Sequence, residues 1–321
     1  LSFDFPDPSE LRPPLITLDM ASVGYADTPI LKRLNMRLDP DDRVALLGRN
    51  GNGKTTLARL LAAQLTPMDG EMNATGKMKV GYFTQYQVEE LDADDTPLEH
   101  MTRIMRGASP AAVRAQLGRF GFSGDKAVGK VGKMSGGEKA RLALALITRD
   151  APHMLILDEP TNHLDVDARE ALIQALNAYS GAVVLVSHDR HMLEMTADRL
   201  VLVDGGTAKE FDGSLDDYIA FVLAGDKQPE EKGKKKDKAK PIDRDADKAR
   251  RKAIRDAEAE IAKLTTERNA LDRAMFDPKT AEPRFAKLAM GDLMKRRADA
   301  QDRIDALEAQ WLEATEALEA A

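Results

Sequence analysis

Eight residues constrain this chain more than any others. Gly48-Arg49-Asn50-Gly51-Asn52-Gly53-Lys54-Thr55 satisfies the pattern G-x-x-x-x-G-K-[ST] at every fixed position. The apolar run Val44–Leu47 precedes it and reads as a buried strand, and Lys54–Leu65 follows with a helical pattern. Between a strand and a helix, glycines let backbone amides converge on a polyphosphate, and the helix dipole adds a favourable field. Lys54 is placed to reach the β- and γ-phosphates, and Thr55 to ligate Mg²⁺. Thr56 continues the helix start and belongs to the same candidate site.

A loop of this kind needs parallel strands around it, and the chain supplies them. Met154–Leu157, Ala182–Val186 and Leu200–Val203 are short and apolar, as both-face-buried strands are. Helical patterns such as Ala168–Leu176 lie between them. Leu15–Tyr25 and Leu31–Leu38 read instead as antiparallel strands. The fold class is therefore α/β. Met154-Leu155-Ile156-Leu157 ends in Asp158-Glu159, two carboxylates at the sheet edge where ligands bind in such folds. Asp158 suits Mg²⁺ held through water, which leaves Glu159 to polarise an attacking water. Ser135-Gly136-Gly137-Glu138 opens a further helix running to Thr148 and offers a second anion-binding helix terminus.

Composition closes off other classes. The 321 residues predict about two domains. No cysteine is present, which excludes disulfide scaffolds, thiolate metal sites and thiol catalysis. No run approaches the ~20 apolar residues of a membrane helix. The opening Leu1–Leu11 is acidic and proline-rich, unlike a signal peptide.

The net charge of −7 is unevenly spread. Residues 225–321 hold 23 basic and 22 acidic residues, a density that rarely builds a globular core, so a boundary is expected near Gly225. From Lys227 to Arg255 there are 13 basic and 6 acidic residues. That stretch is either a solvated linker or a phosphate-binding patch. Beyond it, Ile254, Ala257, Ile261, Leu264, Arg268, Leu271 and Met275 form a stripe with alternating spacings of three and four. Asp277-Pro278 interrupts the stripe. It resumes at Met290 and runs through Leu293, Arg297, Ala300, Ile304, Leu307, Trp311 and Ala314 to Leu318. The pattern predicts an antiparallel helical hairpin, with Arg268 and Arg297 weakening the seam locally. The hairpin either reaches out to a partner or packs back on the globular part.

The three motifs, in this order, resemble the ATP-binding-cassette ATPases, over roughly residues 15–222. The resemblance implies a phosphate-loop cassette with an antiparallel β-subdomain and a helical subdomain, followed here by a coiled-coil hairpin. It makes Ser135, Gly136, Gly137 and Glu138 the signature motif, which acts on nucleotide held by an opposing cassette. It places Tyr25 under adenine, Gln85 at the metal and attacking water, and His188 against the γ-phosphate. Glu159, His188 and Gln85 are then the catalytic set. Tyr25, residues 48–56, Asp158 and the signature bind nucleotide, and Thr55, Gln85 and Asp158 bind Mg²⁺.

Glu159-Pro160-Thr161-Asn162-His163-Leu164-Asp165 narrows the likeness to the ABC-F family of tandem-cassette proteins. That implies ATP and Mg²⁺ as cofactors, a second cassette as partner, ribosomal RNA as a further partner and a cytoplasmic location. The second cassette would be an N-terminal half of the same protein or another copy of this chain. The alternative is the ATP-binding subunit of a membrane transporter. The expected division is residues 1–14 as the end of an interdomain linker, 15–224 as the cassette, 225–243 as a basic linker and 244–321 as the hairpin. His100, His153 and His191 lack metal-ligand spacing and are expected to pack or face solvent.

Overall fold

The computed structural model describes residues 2–49, 51–225, 244–276, 279 and 281–319. The chain divides between Asp212 and Gly213 into two compact units. The division precedes the boundary expected near Gly225, because the helix Leu215–Gly225 groups with the second unit.

Unit 1 holds two sheets, with strands numbered in chain order. The first pairs β1 (Ile16–Tyr25) antiparallel with β2 (Thr28–Leu38) and β4 (Asp69–Ala74), in the order β2-β1-β4. Along β1 the buried residues are Ile16 and Leu18, then Ala21 and Val23. Their parity changes at a register shift between Leu18 and Ala21. Met20 absorbs the extra residue at φ 49°, and the Asn35 side chain accepts its amide at 2.9 Å.

The second sheet runs β5 (Val80–Phe83), β6 (Met154–Asp158), β7 (Ala182–Val186), β3 (Arg43–Leu47), β8 (Arg199–Asp204) and β9 (Thr207–Glu210) in space. The first five are parallel and β9 is antiparallel to β8. Every residue of β6 and β7 is buried, so both faces of the sheet are covered. Two of these strands escape the sequence pattern. β4 and β9 are short, mostly exposed edge strands with no apolar run to mark them.

The helices of unit 1 are α1 (Lys54–Leu61), α2 (Gln85–Glu89), α3 (Pro97–Ile104), α4 (Pro110–Gly118), α5 (Asp125–Val128), α6 (Gly136–Ile147), α7 (Val166–Ala178) and α8 (Arg190–Thr196). α1 stops four residues before the predicted Leu65. Ala63 turns to φ 58°, and the amides of Gln64 and Leu65 both fold back onto the Arg59 carbonyl, a left-handed helix ending. Residues before β1 also pack on this unit. Phe3 and Phe5 are buried, and the Phe5 ring meets those of Phe120 and Tyr179 edge-on at 5.6 and 5.9 Å. Asp4 pairs with Arg119, and Asp7 accepts from Ser180.

Unit 2 contains α9 (Leu215–Gly225), α10 (Arg244–Phe276) and α11 (Met290–Glu319). α10 and α11 lie antiparallel, as the pairs Glu258–Trp311, Arg268–Gln301 and Asp272–Arg297 show. The apolar stripe is the contact face: Leu271, Met275, Leu293, Ala300, Ile304 and Leu307 are all buried. Toward the turn, Leu271, Ala274, Met275, Phe285 and Leu293 form a small core of their own.

The two seam arginines do not weaken it in the way their positions suggest. Arg268 donates to Gln301 Oε1 at 2.7 Å, and Arg297 Nε donates to Asp272 Oδ1 at 2.8 Å. The partners come from the facing helix, a pairing that the stripe pattern does not reveal. Asp277-Pro278 and most of the basic run, residues 227–243, lie outside the described residues.

Candidate phosphate-binding site

Strand order builds the site. In the row β5-β6-β7-β3, Phe83 lies beside Leu157, Asp158 beside Val186, and Leu185 beside Ala45. These strands therefore end within two residues of one another. Gln85 opens α2 just beyond β5, Asp158 closes β6, His188 follows β7 by two residues, and Gly48 follows β3. Segments more than 100 residues apart in sequence are brought to one edge, the C-terminal edge where open parallel sheets bind ligands.

The loop from Gly48 to Thr55 is shaped by glycine. Gly48, Gly51 and Gly53 have φ of 143°, 85° and 104°. A Cβ on Gly48 would stand 2.3 Å from the Val203 carbonyl oxygen, so no side chain fits there. Asn52 ties the loop to β8 by donating to Asp204 Oδ1 at 3.1 Å, and its own amide bonds the Arg49 carbonyl. Asn50 lies outside the described residues. Lys54 is buried, and its Nζ donates to the Gly48 carbonyl at 2.7 Å. The ammonium is thus folded across the loop whose amides would surround a phosphate. Thr55, next along α1, is half-buried.

Tyr25 comes from the other sheet and reaches the same helix. The buried Thr56 hydroxyl and the Arg59 guanidinium both donate to its phenol oxygen, at 3.4 and 3.3 Å. Arg59 also lies over the ring, 5.4 Å from its centroid. Neither Arg59 nor Asp204 was singled out by motif. The usable signal for Arg59 is its spacing of three from Thr56, which puts both on one face of α1.

Asp158 is buried at the end of β6. Glu159 departs from the strand at φ 52°, a conformation that costs a non-glycine residue energy and re-aims its side chain. Its amide is held by the Val186 carbonyl at 2.7 Å. Its carboxylate then meets His188 twice. Oε2 accepts the His188 amide and Oε1 lies by the ring Nε2, both at 3.4 Å. The structure thus brings Glu159 and His188 together across 29 residues of sequence.

Ser135 to Glu138 opens α6. Ser135 caps α6: its hydroxyl accepts the Glu138 amide while the Glu138 carboxylate accepts the Ser135 amide, each at 3.2 Å. The helix terminus read as an anion site is thus partly satisfied from within, although the Ser135 hydroxyl keeps a proton to donate. Cβ atoms on Gly136 and Gly137 would lie 3.2 Å from His163, so the turn packs on the loop that follows Glu159.

Oxygen donors dominate the edge. No cluster of three or more His, Asp or Glu able to hold a metal occurs among the described residues. A hydroxyl at Thr55 and a carboxylate at Asp158 fit a hard cation that takes its other oxygens from phosphate and water, as Mg²⁺ does. The remaining histidines have local partners. His153 Nδ1 accepts the Lys79 amide at 2.9 Å, His191 pairs with Glu170, and His100 meets Asp92.

Comparison with known proteins agrees with this fold. A family profile described as "ABC transporter" matches residues 31–162. The chain is 40% identical to the probable ATP-binding protein YheS of Escherichia coli K12, covering 99% of this chain and 52% of that protein. It is 37% identical to Protein GCN20 of Saccharomyces cerevisiae over 70% of this chain and 30% of that one. It is 41% identical to ABC transporter F family member 3 of Arabidopsis thaliana, over 67% and 30%. The chain spans about half the length of its E. coli relative.

Among solved structures, the post-hydrolysis dimer of the ATP-binding cassette MJ0796 bound to ADP and Pi superposes with a TM-score of 0.52. At 21% identity, covering 62% of this chain and all of that one, this shows shared fold. A bacterial Atm1-family ABC exporter with ATP bound gives 0.55 at 27% identity, over 70% of this chain and 42% of that one. Fold and edge together define a phosphate-loop cassette. The chain belongs to the ATP-binding-cassette ATPases and, within them, to the ABC-F family. Among the described residues, no helix is long and apolar enough to cross a membrane.

Proposed function

We propose that this chain binds and hydrolyses MgATP and uses the resulting cassette closure in translation, on the ribosome. The observation that carries the ATPase reading is the single edge that holds the glycine loop, Asp158 and the Glu159–His188 pair. Lys54 and the amides around Gly48–Thr55 bind the phosphates. Thr55, Asp158 and Gln85 hold Mg²⁺, which when bound neutralises charge on the phosphate oxygens. Tyr25 stacks on adenine from the neighbouring sheet.

Glu159 orients the attacking water and accepts its proton. His188, already on the Glu159 carboxylate, donates toward the γ-phosphate and keeps that carboxylate directed at the edge. Positioning and charge stabilisation supply most of the rate, as is general for phosphoryl transfer. Ser135, Gly136 and Gly137, with a hydroxyl proton to give, complete a nucleotide site on a second cassette. That cassette is either another copy of this chain or a homologous one. The ribosomal step rests on membership of ABC-F and on the charged hairpin of unit 2.

Glu159→Gln keeps shape and removes basicity, so turnover is expected to fall by about 10²-fold or more with ATP still bound. ATP binding survives or tightens, because a carboxylate beside the γ-phosphate is gone. The ATP-loaded variant is expected to sediment with ribosomes and not with membrane vesicles. Normal turnover would sink the role of Glu159. Retained ATP with membrane binding and no ribosome binding would favour a transporter subunit.

A further inference from the structure

Unit 2 contains two basic regions, and the hairpin treats them differently. Residues 244–255, at the start of α10, carry six basic and two acidic residues. Residues 279–297, the turn and the start of α11, also carry six basic and two acidic. By sequence alone the first is the more obvious phosphate contact, because it continues the run from Lys227.

The antiparallel register reverses that ranking. Glu258 meets Trp311, Arg268 meets Gln301 and Asp272 meets Arg297, so positions 250–255 of α10 lie across from 314–319 of α11. Next along α10 stand Asp256, Glu258 and Glu260, and Glu313 of α11 lies across from position 256. The basic root therefore adjoins exposed carboxylates, and a phosphate outside the chain finds its field weakened. At the turn the opposite holds. Lys295 and Arg296 lie across from positions 274 and 273, and position 273 is a further arginine. Lys287, Lys295 and Arg296 are exposed, and no ion pair holds them among the described residues. Arg284 is exposed too. It lies over the Phe285 ring at 4.5 Å and pairs with Glu282 at the surface, a contact worth little and readily exchanged for phosphate.

The turn is also a firm platform. Phe285, Leu293, Met275 and Leu271 are packed inside it, each 5% exposed or less. The same burial argues against a membrane as the partner, since the described turn presents no large apolar side chain to insert between lipids.

We propose that the turn of the α10–α11 hairpin, through Arg284, Lys287, Lys295 and Arg296, is an RNA-binding surface that grips phosphates. The choice of RNA rests on the ribosomal reading above. The placement at the turn rests on charge and register alone.

The test uses the 321-residue chain and two variants that remove equal charge. In one, Arg284, Lys287, Lys295 and Arg296 are changed to Gln. In the other, Arg250, Arg251, Lys252 and Arg255 are. Binding to a 24-base-pair RNA duplex is followed by fluorescence anisotropy across a salt series, with helix content checked by circular dichroism. The turn variant is expected to lose about tenfold or more in affinity, and its salt slope to shrink by about 3. The root variant is expected to stay within about threefold of the parent.

Equal losses in both variants, or a larger loss at the root, overturn the proposal. So does a DNA duplex of the same length that outcompetes the RNA. Ribosome sedimentation is run in parallel. RNA binding that vanishes with the turn while ribosomes are ignored sinks the translation reading and leaves the surface standing. Ribosome binding that survives in a turn variant with unchanged RNA affinity sinks the surface alone.

Discussion

Each unit buries a cation, and the neighbours decide what it can do. Lys54 donates to the Gly48 carbonyl at 2.7 Å, on a loop whose glycines hold φ values closed to other residues. Arg268 donates to Gln301 Oε1 at the same distance, but between two helices. Gln301 passes its own amide on to Asp305 at 2.8 Å, and the Arg268 fork also meets Asn269. One cation is a compact point charge on a mobile stem, set beside converging amides. The other is a planar group held by side chains of both helices. The first arrangement suits exchange of a carbonyl for a phosphate. The second suits a fixed helix register, the best-attested use of a buried polar pair.

Removing the two cations in turn separates their roles. Lys54→Ala is expected to weaken MgATP binding by about 30-fold or more, the worth of a charged hydrogen bond of about 2 kcal/mol. It should leave hairpin stability unchanged. Arg268→Leu should do the reverse: ATP affinity stays, and the hairpin loses about 1–2 kcal/mol, because the buried Gln301 Oε1 loses its donor. Calorimetric titration and thermal melting read both. Unchanged ATP affinity in Lys54→Ala removes the phosphate assignment.

A smaller effect tests whether the seam ion pair is a register device at all. Asp272 is buried and Arg297 partly so. Asp272→Ala takes a buried carboxylate partner from the guanidinium, with an expected cost of about 1 kcal/mol to unit 2, well below the fully buried case because Arg297 keeps some water. Asp272→Ala combined with Arg297→Leu should recover most of that loss. A double variant no better than the single one would show that the pair is incidental.

How much of this was legible in sequence differs between the two regions for a physical reason. The glycine loop could be read because its function depends on backbone shape, and backbone shape needs particular residues at fixed spacing. The four parallel strands β3, β6, β7 and β8 were readable because their apolar runs are uninterrupted, although β8 buries only Val201 and Val203. The meeting of Glu159 with His188 was not, since it depends on β6 lying beside β7 and on a left-handed turn at a glutamate. The partners of Arg268 and Arg297 were equally hidden, because a heptad stripe names the face of a helix and not its register against another. β4 and β9 left no trace because edge strands with one solvated side need no apolar run. The basic root was legible as charge, yet the approach of Glu313 from α11 requires the hairpin to be folded.

The smallest expected effect lies on the far side of the β6 strand from the phosphate edge. His153 precedes β6, and its buried Nδ1 accepts the Lys79 amide at 2.9 Å. That bond requires the neutral ring with its proton on Nε2, which then donates to Ser9 Oγ at 3.0 Å. Burial, and secondarily the charge of Lys79, push the imidazole below its ordinary value. The unfolded chain, with a value near ~6.5, therefore binds more protons than the folded one as the medium acidifies. The stability that His153 contributes is fully present above about pH 6.5 and is lost as pH falls through that value toward the depressed folded one. Protonation would also set an Nδ1–H against the Lys79 N–H, two donors with no acceptor between them. The expected loss is about 1 kcal/mol or less between pH 7.5 and 5.5, local to the start of β5, the start of β6 and the segment at Ser9. Amide exchange at Lys79, corrected for its intrinsic pH dependence, reads it directly. Protection should fall on acidification in the parent and hold in His153→Gln, whose amide can accept from Lys79 and donate to Ser9 without titrating. An identical pH slope in the two proteins would mean that another group carries the effect and that His153 is only a packing residue.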